Sequence, residues 1–418
     1  MSIPSQPPHR VLYVVSLFPC WSETFIVREI EQLVARGVDV RILSLKPPSE
    51  PLVQARAAAL MDRVIGPRGL LAELPTVVGE SLRQPVGVLG SVLRLVGGLW
   101  SQPVALGKSL VALWRGLAAL PSLRAFGPEL IHAHWATYPS TVAWALARLL
   151  RLPFSFTCHA HDIFVEDHLL RRKLSDAALA VTISQYNVRY LAPWGAAALG
   201  ERLQVIHCGV DFAELPEQIE GRMPRRIVSV GRLDPIKGFD VLVPALGQLR
   251  QRGVEFECTV IGEGPQRSQL EAQRAALGLE AALQLPGAQP QELVRAAIAQ
   301  ACVFVMPSVL TPEGNQDGIP VALMEAMASG AAVISTRVSG IPELIEHDVS
   351  GLLVPAGDET ALADALQRLL TDADLRRRLG VAARARVKAE FDASTEAARL
   401  LTLFRKTVDK WRSGADAR

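Results

Sequence analysis

Short β-branched runs alternate with helix-length amphipathic stretches along nearly the whole chain, and this alternation restricts the fold to parallel βαβ units rather than a sandwich or a helical bundle. A first series of strands is predicted at Val11 to Leu17, Val38 to Leu45, Leu130 to His132, Phe154 to Cys158, Ala178 to Thr182 and Leu203 to His207, with helices from about Thr24 to Arg36 and near Thr141 to Leu150. A second series starts at Arg226: Ile227 to Val230, Glu257 to Ile261, Leu283 to Leu285, Val303 to Met306, Val333 to Ser335 and Leu352 to Val354. The chain has 418 residues, too many for one core when domains hold roughly 100 to 200. The expected fold class is therefore α/β: two Rossmann-like, doubly wound parallel-sheet domains, 1–210 and 211–394, facing a central cleft. Residues 395–418 form a final helix packing back on the first domain. The stretch Asp211 to Pro224, with its acids, Gly221 and two prolines, is the expected linker. Open α/β sheets bind ligands beyond the carboxyl ends of their strands, so functional residues should stand just after strands.

The composition narrows the partners. Hydrophobic residues make up 49% and charged residues 21%, and the net charge is +2. The scattered Lys and Arg leave no basic footprint for nucleic acid. Five cysteines, Cys20, Cys158, Cys208, Cys258 and Cys302, are odd in number and widely spaced, as in a reduced cytoplasmic protein. The apolar run Val11 to Leu17 is too brief, and too soon followed by Pro19, for a signal peptide. Between Leu70 and Phe126 the sequence is rich in Leu and Val, but Arg83, Arg94, Lys108 and Arg115, with several Pro and Gly, interrupt every span of the roughly 20 residues a bilayer requires. Two readings of this insert stay open: buried helices, or helices lying peripherally on an anionic membrane at its inner face.

The strongest constellation follows Val303 to Met306. A loop leads to Asp317, Gly318, Ile319 and Pro320, then to a helix ending at Ser329-Gly330, so that free amides at the helix start suit a diphosphate. Glu325 is the one charge from Gly318 through Thr336, and a carboxylate in an apolar helix needs hydrogen-bond partners such as ribose hydroxyls. Counted along a helix, eight residues would separate Asp317 from Glu325 by about 10 to 12 Å, enough for one acid to hold a ribose and the other a donor sugar. Gly231-Arg232 and Lys237-Gly238 put two cations after a strand, within reach of a diphosphate. Gly262-Glu263-Gly264-Pro265 is a turn where backbone could approach a base or phosphate. Asp372-Ala-Asp374 reads as a helix cap.

Taken together, Gly231-Arg232-Leu233 with Lys237-Gly238, Ile261-Gly262-Glu263-Gly264-Pro265, and Asp317-Gly-Ile-Pro with Glu325-Ala-Met-Ala-Ser-Gly330 resemble the donor half of the retaining family 4 glycosyltransferases of the GT-B fold. Ser22-Glu23-Thr24-Phe25, His132-Ala-His134 and Phe156-Thr-Cys-His159-Ala-His161-Asp162 are similar to enzymes building bacterial exopolysaccharides such as colanic acid. The Glu-x7-Glu signature of the family stands here as Asp317-x7-Glu325, its first acid one methylene shorter. The resemblance implies transfer of a hexose from a nucleotide-diphosphate sugar to a saccharide or lipid-linked oligosaccharide, with no metal and no other cofactor. It implies that Arg232 and Lys237 neutralise the departing diphosphate and that Glu325 binds the ribose. Asp317, with the amides of Gly318, Ile319 and Pro320, would hold the donor sugar. It places a histidine near the anomeric carbon, for which His159 is chosen over His161.

On the acceptor side, Ser22, Glu23 and Thr24 follow the first strand, with Ser22 and Thr24 equally suited to capping a helix; His161 and Asp162 complete the set. His132 with His134 and His159 with His161 would each share a face if their strands continue. Four imidazoles could bind zinc, but zinc sites usually recruit Cys or carboxylates at tighter spacing and a core histidine is commoner. Two rivals remain for the function: a nucleotide-sugar epimerase of the same architecture, and a non-catalytic nucleotide-sugar-binding subunit.

Overall fold

The computed structural model describes residues 10–20, 23–48, 55–215 and 221–415. They form two compact units. One gathers the chain up to Ile183, Asn187–His207 and the segment from Ser394 onward, and the other holds Ser184–Tyr186 and Cys208–Ala393.

The first unit is a parallel sheet of β1 (Arg10–Leu17), β2 (Asp39–Lys46), β3 (Val64–Ile65), β4 (Leu130–His134), β5 (Phe154–Cys158), β6 (Leu179–Thr182) and β7 (Leu203–Val205), ordered β3-β2-β1-β4-β5-β6-β7. Side chains alternate across a strand, so β1 feeds two cores. Val11, Tyr13 and Val15 pack with Ile26, Ile30 and Leu33 of the helix Thr24–Ala35 and with Leu400, Phe404 and Val408 of the last helix, Ala393–Ala415. Leu12 and Val14 join the opposite core, with Leu117 and Leu120 of the helix Pro103–Phe126 and Val142 and Leu146 of the helix Tyr138–Leu150. Each large side chain so buried stabilises the fold by about 1.5 to 3 kcal/mol.

The apolar insert forms three helices, Leu70–Arg83, Pro85–Leu99 and Pro103–Phe126. Contrary to the expectation that cations break every candidate span, Pro103–Phe126 is one helix of 24 residues, long and apolar enough to cross a membrane by length and composition. Half of its most apolar window is buried inside the protein, where Gly116 lies against Val142 and Leu146. Its apolar character thus serves packing. Ion pairs of 2.6 Å between Arg115 and Glu73 and 2.7 Å between Arg124 and Glu80 lock the first insert helix to the third.

The second unit is a parallel sheet of β8 (Met223–Val230), β9 (Glu257–Ile261), β10 (Leu283–Gly287), β11 (Ala301–Met306), β12 (Ala332–Thr336) and β13 (Leu352–Val354), ordered β10-β9-β8-β11-β12-β13 around one continuous core. β8 begins inside the stretch expected as linker, because Met223 already pairs with Ala301 of β11. The same stretch holds a turn, Phe212–Glu214, capped by Asp211, and residues 216–220 lie outside the described residues. Asp372 caps the helix Ala373–Glu390 by accepting from the Leu375 amide, the role its spacing predicts. The strand order reverses direction between β1 and β4 in one sheet and between β8 and β11 in the other, and such switch points open a crevice at the carboxyl edge.

Candidate active site

The loops after β8 and β11 flank the switch point of the second sheet, and they bring Lys237 to Asp317. Lys237 ends a short turn, Pro235–Lys237, that Asp234 caps by accepting from the Ile236 amide. The lysine stem runs over Gly231, where an added Cβ would meet its Cδ and Cε at 3.6 Å. Its Nζ donates to Asp317 Oδ2 at 2.5 Å, and Ser308 Oγ reaches the same oxygen at 3.4 Å. The two charged side chains are about equally half-buried, 16% and 15% exposed, so water screens the pair less than a surface bridge. The Val309 amide donates to the Ile236 carbonyl at 3.0 Å and ties the two loops directly.

The loop after β9 joins them. Gly231 N donates to Ile261 O, Leu233 N to Glu263 O and Gln266 N to Leu233 O, all within 3.0 Å. A Cβ on Gly262, whose φ is +153°, would fall 1.9 Å from the Gly231 carbonyl oxygen, and one on Gly264 would fall 2.4 Å from that of Leu233. At these glycines backbone approaches backbone, which lets two loops share one edge. Arg232 stands exposed beside them, its side chain without a hydrogen bond or ion pair among the described residues.

Glu325 is buried, 7% exposed, on the helix Val321–Ala328. Pro320 is the residue before that helix, and Gly318, Ile319 and Pro320 are all buried in the loop leading to it. Asp317 is therefore not helical, and a separation reckoned by helical rise from Asp317 to Glu325 does not apply.

In the first unit, β4 extends two residues further than expected, so His132 and His134 do share a face, the one that carries Tyr13 of β1. β5 stops at Cys158, so the second pair divides: His159 is buried, 4% exposed, and His161 opens the short helix His161–Phe164 as an exposed residue. A chain of hydrogen bonds links the buried members. Tyr13 Oη donates to Glu29 Oε1 at 2.7 Å, His134 Nε2 lies 3.1 Å from the same oxygen, and His134 Nδ1 lies 3.1 Å from His159 Nε2. A carboxylate only accepts, so His134 carries its proton on Nε2 and accepts at Nδ1. His159 must then carry its proton on Nε2, leaving Nδ1 as an acceptor. Burial, with His134 and His132 nearby, holds the His159 imidazole well below the ordinary histidine range, which keeps it neutral. Trp135 and Phe25 hold its ring, with centroids 4.5 and 4.9 Å away.

His132 is a core histidine. Its Nδ1 is 2.8 Å from Ser155 Oγ, its Nε2 is 3.1 Å from Thr157 Oγ1, and Phe404 covers its ring. Glu29, His132 and His134 offer ligand atoms within 4.8 Å of one another, yet every ring nitrogen of the two histidines already faces a protein partner.

Asp162 corrects an expectation. It is fully buried, and its Oδ2 accepts from the Ala136 amide at 2.6 Å while Oδ1 accepts from the His159 amide at 3.0 Å. It clamps the loops after β4 and β5 together and has no exposed surface with which to meet an acceptor. Burial raises its carboxyl above the usual range, opposed by these amides. Ser22 lies outside the described residues. Glu23 occupies the cap position before Thr24 without a side-chain capping bond, and Thr24 is the first helical residue.

The residues that sequence reasoning missed are Tyr13, Glu29 and Lys173. Tyr13 sits on the inward face of β1 between Val11 and Val15, where a hydroxyl needs a partner. Lys173 falls on the buried stripe Leu170, Lys173, Leu174 of the helix Leu170–Asp176, and a cation in such a stripe signals a partnered interior lysine. It donates to the carbonyls of Ala136 and, at 3.1 Å, Thr137, and burial brings it down to about 7. Lys173 and Asp162 thus grip both ends of the Ala136 peptide unit's neighbourhood, carbonyl and amide.

Known proteins resemble this chain in sequence and in fold. Residues 22–214 match the profile of Glycosyltransferase Family 4, and residues 212–386 match that of Glycosyl transferases group 1. The amylovoran biosynthesis glycosyltransferase AmsK of Erwinia amylovora is 32% identical over 92% of this chain and 96% of its own. WcaL of Escherichia coli K12, named for colanic acid biosynthesis, is 31% identical over the same shares. Among solved structures, sucrose-phosphate synthase from Thermosynechococcus elongatus superposes with a TM-score of 0.71 at 23% identity, over 95% of this chain and 98% of that one. Anabaena HepE in complex with UDP and glucose gives a TM-score of 0.66 at 18% identity, over 94% and 98%. A likeness of that length to AmsK, over a chain built of two parallel-sheet units with charged loops at a switch point, establishes that the protein belongs to the GT-B glycosyltransferases in which a family 4 half precedes a group 1 half.

Proposed function

We propose that the protein is a retaining hexosyltransferase that takes a nucleotide-diphosphate sugar as donor and a saccharide or lipid-linked oligosaccharide as acceptor, in exopolysaccharide or cell-surface polysaccharide synthesis. The observation that carries the reading is the Lys237–Asp317 pair, held at 2.5 Å by loops stitched together at the switch point of the second sheet. An ammonium has three donors, so Asp317 can fix Lys237 while two N–H bonds remain for phosphate oxygens. Arg232, exposed beside it, adds a second cation for the same diphosphate, and Glu325 supplies acceptors for a ribose. Asp317 and the backbone of Gly318, Ile319 and Pro320 hold the sugar.

In this reading the acceptor oxygen attacks the anomeric carbon from the face the diphosphate leaves. The bond from that carbon to the phosphate oxygen breaks, its electron pair stays on the phosphate, and the acceptor proton passes to a phosphate oxygen. Lys237 and Arg232 stabilise the charge that develops, and no metal or other cofactor is required. His159, neutral and with its tautomer set by His134, is the histidine that orients the sugar in this reading. The mycobacterial relative named as a GDP-mannose-dependent phosphatidylinositol monomannoside mannosyltransferase, 30% identical over 70% of this chain, supports a lipid-linked acceptor. We place the reaction in the cytoplasm, at the inner face of the membrane.

The test is incubation of the purified protein with a panel of nucleotide sugars and a membrane extract, followed by NMR of the product. A glycoside with the donor's anomeric configuration is expected. Inversion would overturn the retaining assignment, and a free or altered nucleotide sugar without any glycoside would overturn transfer.

A further inference from the structure

The helix Pro85–Leu99 is apolar on two opposite faces. Val88, Ser91, Leu95 and Leu99 are buried within the first unit, which accounts for one face. Val86, Leu89, Leu93, Val96 and the C-cap residue Trp100 recur at helical spacing on the other, and it is bare: Val86 is 84% exposed, Trp100 75%, Leu93 61% and Leu89 59%. Leu71 and Leu82 of the preceding helix are likewise bare, at 87% and 77%. Of the 21 exposed large hydrophobic residues among the described ones, 12 lie between Leu70 and Val111, so the exposure is concentrated rather than scattered.

The exposed charges that the insert itself contributes have one sign. No Asp or Glu occurs from Ser81 through Pro128, which hold Arg83, Arg94, Lys108, Arg115 and Arg124. The insert's two acids, Glu73 and Glu80, are buried and taken up by Arg115 and Arg124. Arg83 lies 3.9 Å from Glu80 yet stays 68% exposed, Arg68 is exposed just before the first insert helix and Arg94 is half-exposed among the apolar residues; Lys108 lies 3.7 Å from Glu166.

We infer that this face of the insert docks on an anionic bilayer surface. The apolar side chains of Pro85–Leu99 enter the boundary between headgroups and acyl chains, Trp100 lies at headgroup depth, and Arg68, Arg83 and Arg94 meet lipid phosphates. A second copy of the chain fits worse, since a symmetric contact would set these cations against one another. The inference deepens the lipid-linked acceptor reading by naming the surface that would bring the enzyme to such an acceptor.

The test is co-sedimentation of the full chain with phosphatidylcholine vesicles, with and without about 30 mol% phosphatidylglycerol, alongside L89S/L93S/W100S and R83Q/R94Q. Wild type is expected to bind the anionic vesicles and to release them as salt rises. The serine variant should bind at least about tenfold more weakly, and the glutamine variant should lose most of the preference for anionic lipid. Wild type left in the supernatant, or a serine variant that binds as well, would overturn the proposal. So would a wild-type dimer on gel filtration that the serine substitutions dissolve without any vesicle binding. Should that variant not fold, V86S/W100S replaces it. Melting-temperature shifts with nucleotide sugars, measured on the same preparations, report donor binding separately, so that a protein that binds vesicles and no donor would sink the transferase reading alone.

Discussion

The two switch points hold their functional groups by different means. In the second unit backbone positions the site: loops after β8, β9 and β11 exchange main-chain hydrogen bonds, and the glycines let them lie edge to edge. Lys237 and Asp317 sit partly buried on that platform, with Arg232 exposed beside them. In the first unit side chains do the positioning. Tyr13, His134 and His159, all buried, form a chain with the partly exposed Glu29, and Asp162 and Lys173 fix the loops beside it. A platform of backbone tolerates substitution of the side chains it carries, but not added bulk in the platform itself. A network of side chains fails one partner at a time.

Lys237→Ala should separate chemistry from architecture most sharply. Loss of a preorganised cation at a leaving group typically costs 10²- to 10³-fold in rate, and kcat should fall about that far while the melting temperature moves by only a few degrees. Near-normal turnover would remove Lys237 from the site. Gly262→Ala should do the reverse. Its Cβ has to displace the Gly231 carbonyl, so urea denaturation should show a loss on the order of 3 kcal/mol, together with weaker donor binding. An unperturbed G262A would mean that the loops are not packed as described.

Glu29→Ala tests the side-chain network. It removes the acceptor that orients His134, so His159 loses its fixed tautomer, and turnover should drop about 10- to 100-fold with little change in KM for the donor. A purely structural role for Glu29 would leave the 15N shifts of His159 unchanged, whereas the positioning role predicts a change in the balance between its two ring nitrogens. The smallest expected effect is on acid stability. His132 and His159 are both held well below the ordinary histidine range by burial, so below about pH 6.5 the unfolded chain binds more protons than the folded one and stability falls as pH drops. The His132→Gln variant, followed by urea titration from neutral to mildly acidic pH, should show a shallower fall than wild type. An equal fall would assign the acid sensitivity elsewhere.

The amino-acid sequence by itself determined the class of fold, since alternating strand and helix periods leave parallel α/β sheets as the consistent solution, and it marked Lys237, Asp317 and Glu325 because charges after strands and inside an apolar helix are conspicuous. It could not say that Gly262 packs against the Gly231 backbone of a neighbouring loop, because that depends on which loops the strand order makes adjacent. Nor could spacing reveal that two identical His-x-His pairs part company. β4 continues through His134 while β5 stops at Cys158, and where a strand ends is decided by its neighbours in the sheet. Glu29, remote in sequence from His134, becomes its partner only once the helix Thr24–Ala35 is laid over the sheet. Local periodicity is written in neighbouring residues, whereas the partner of a buried polar group is chosen by packing between distant ones.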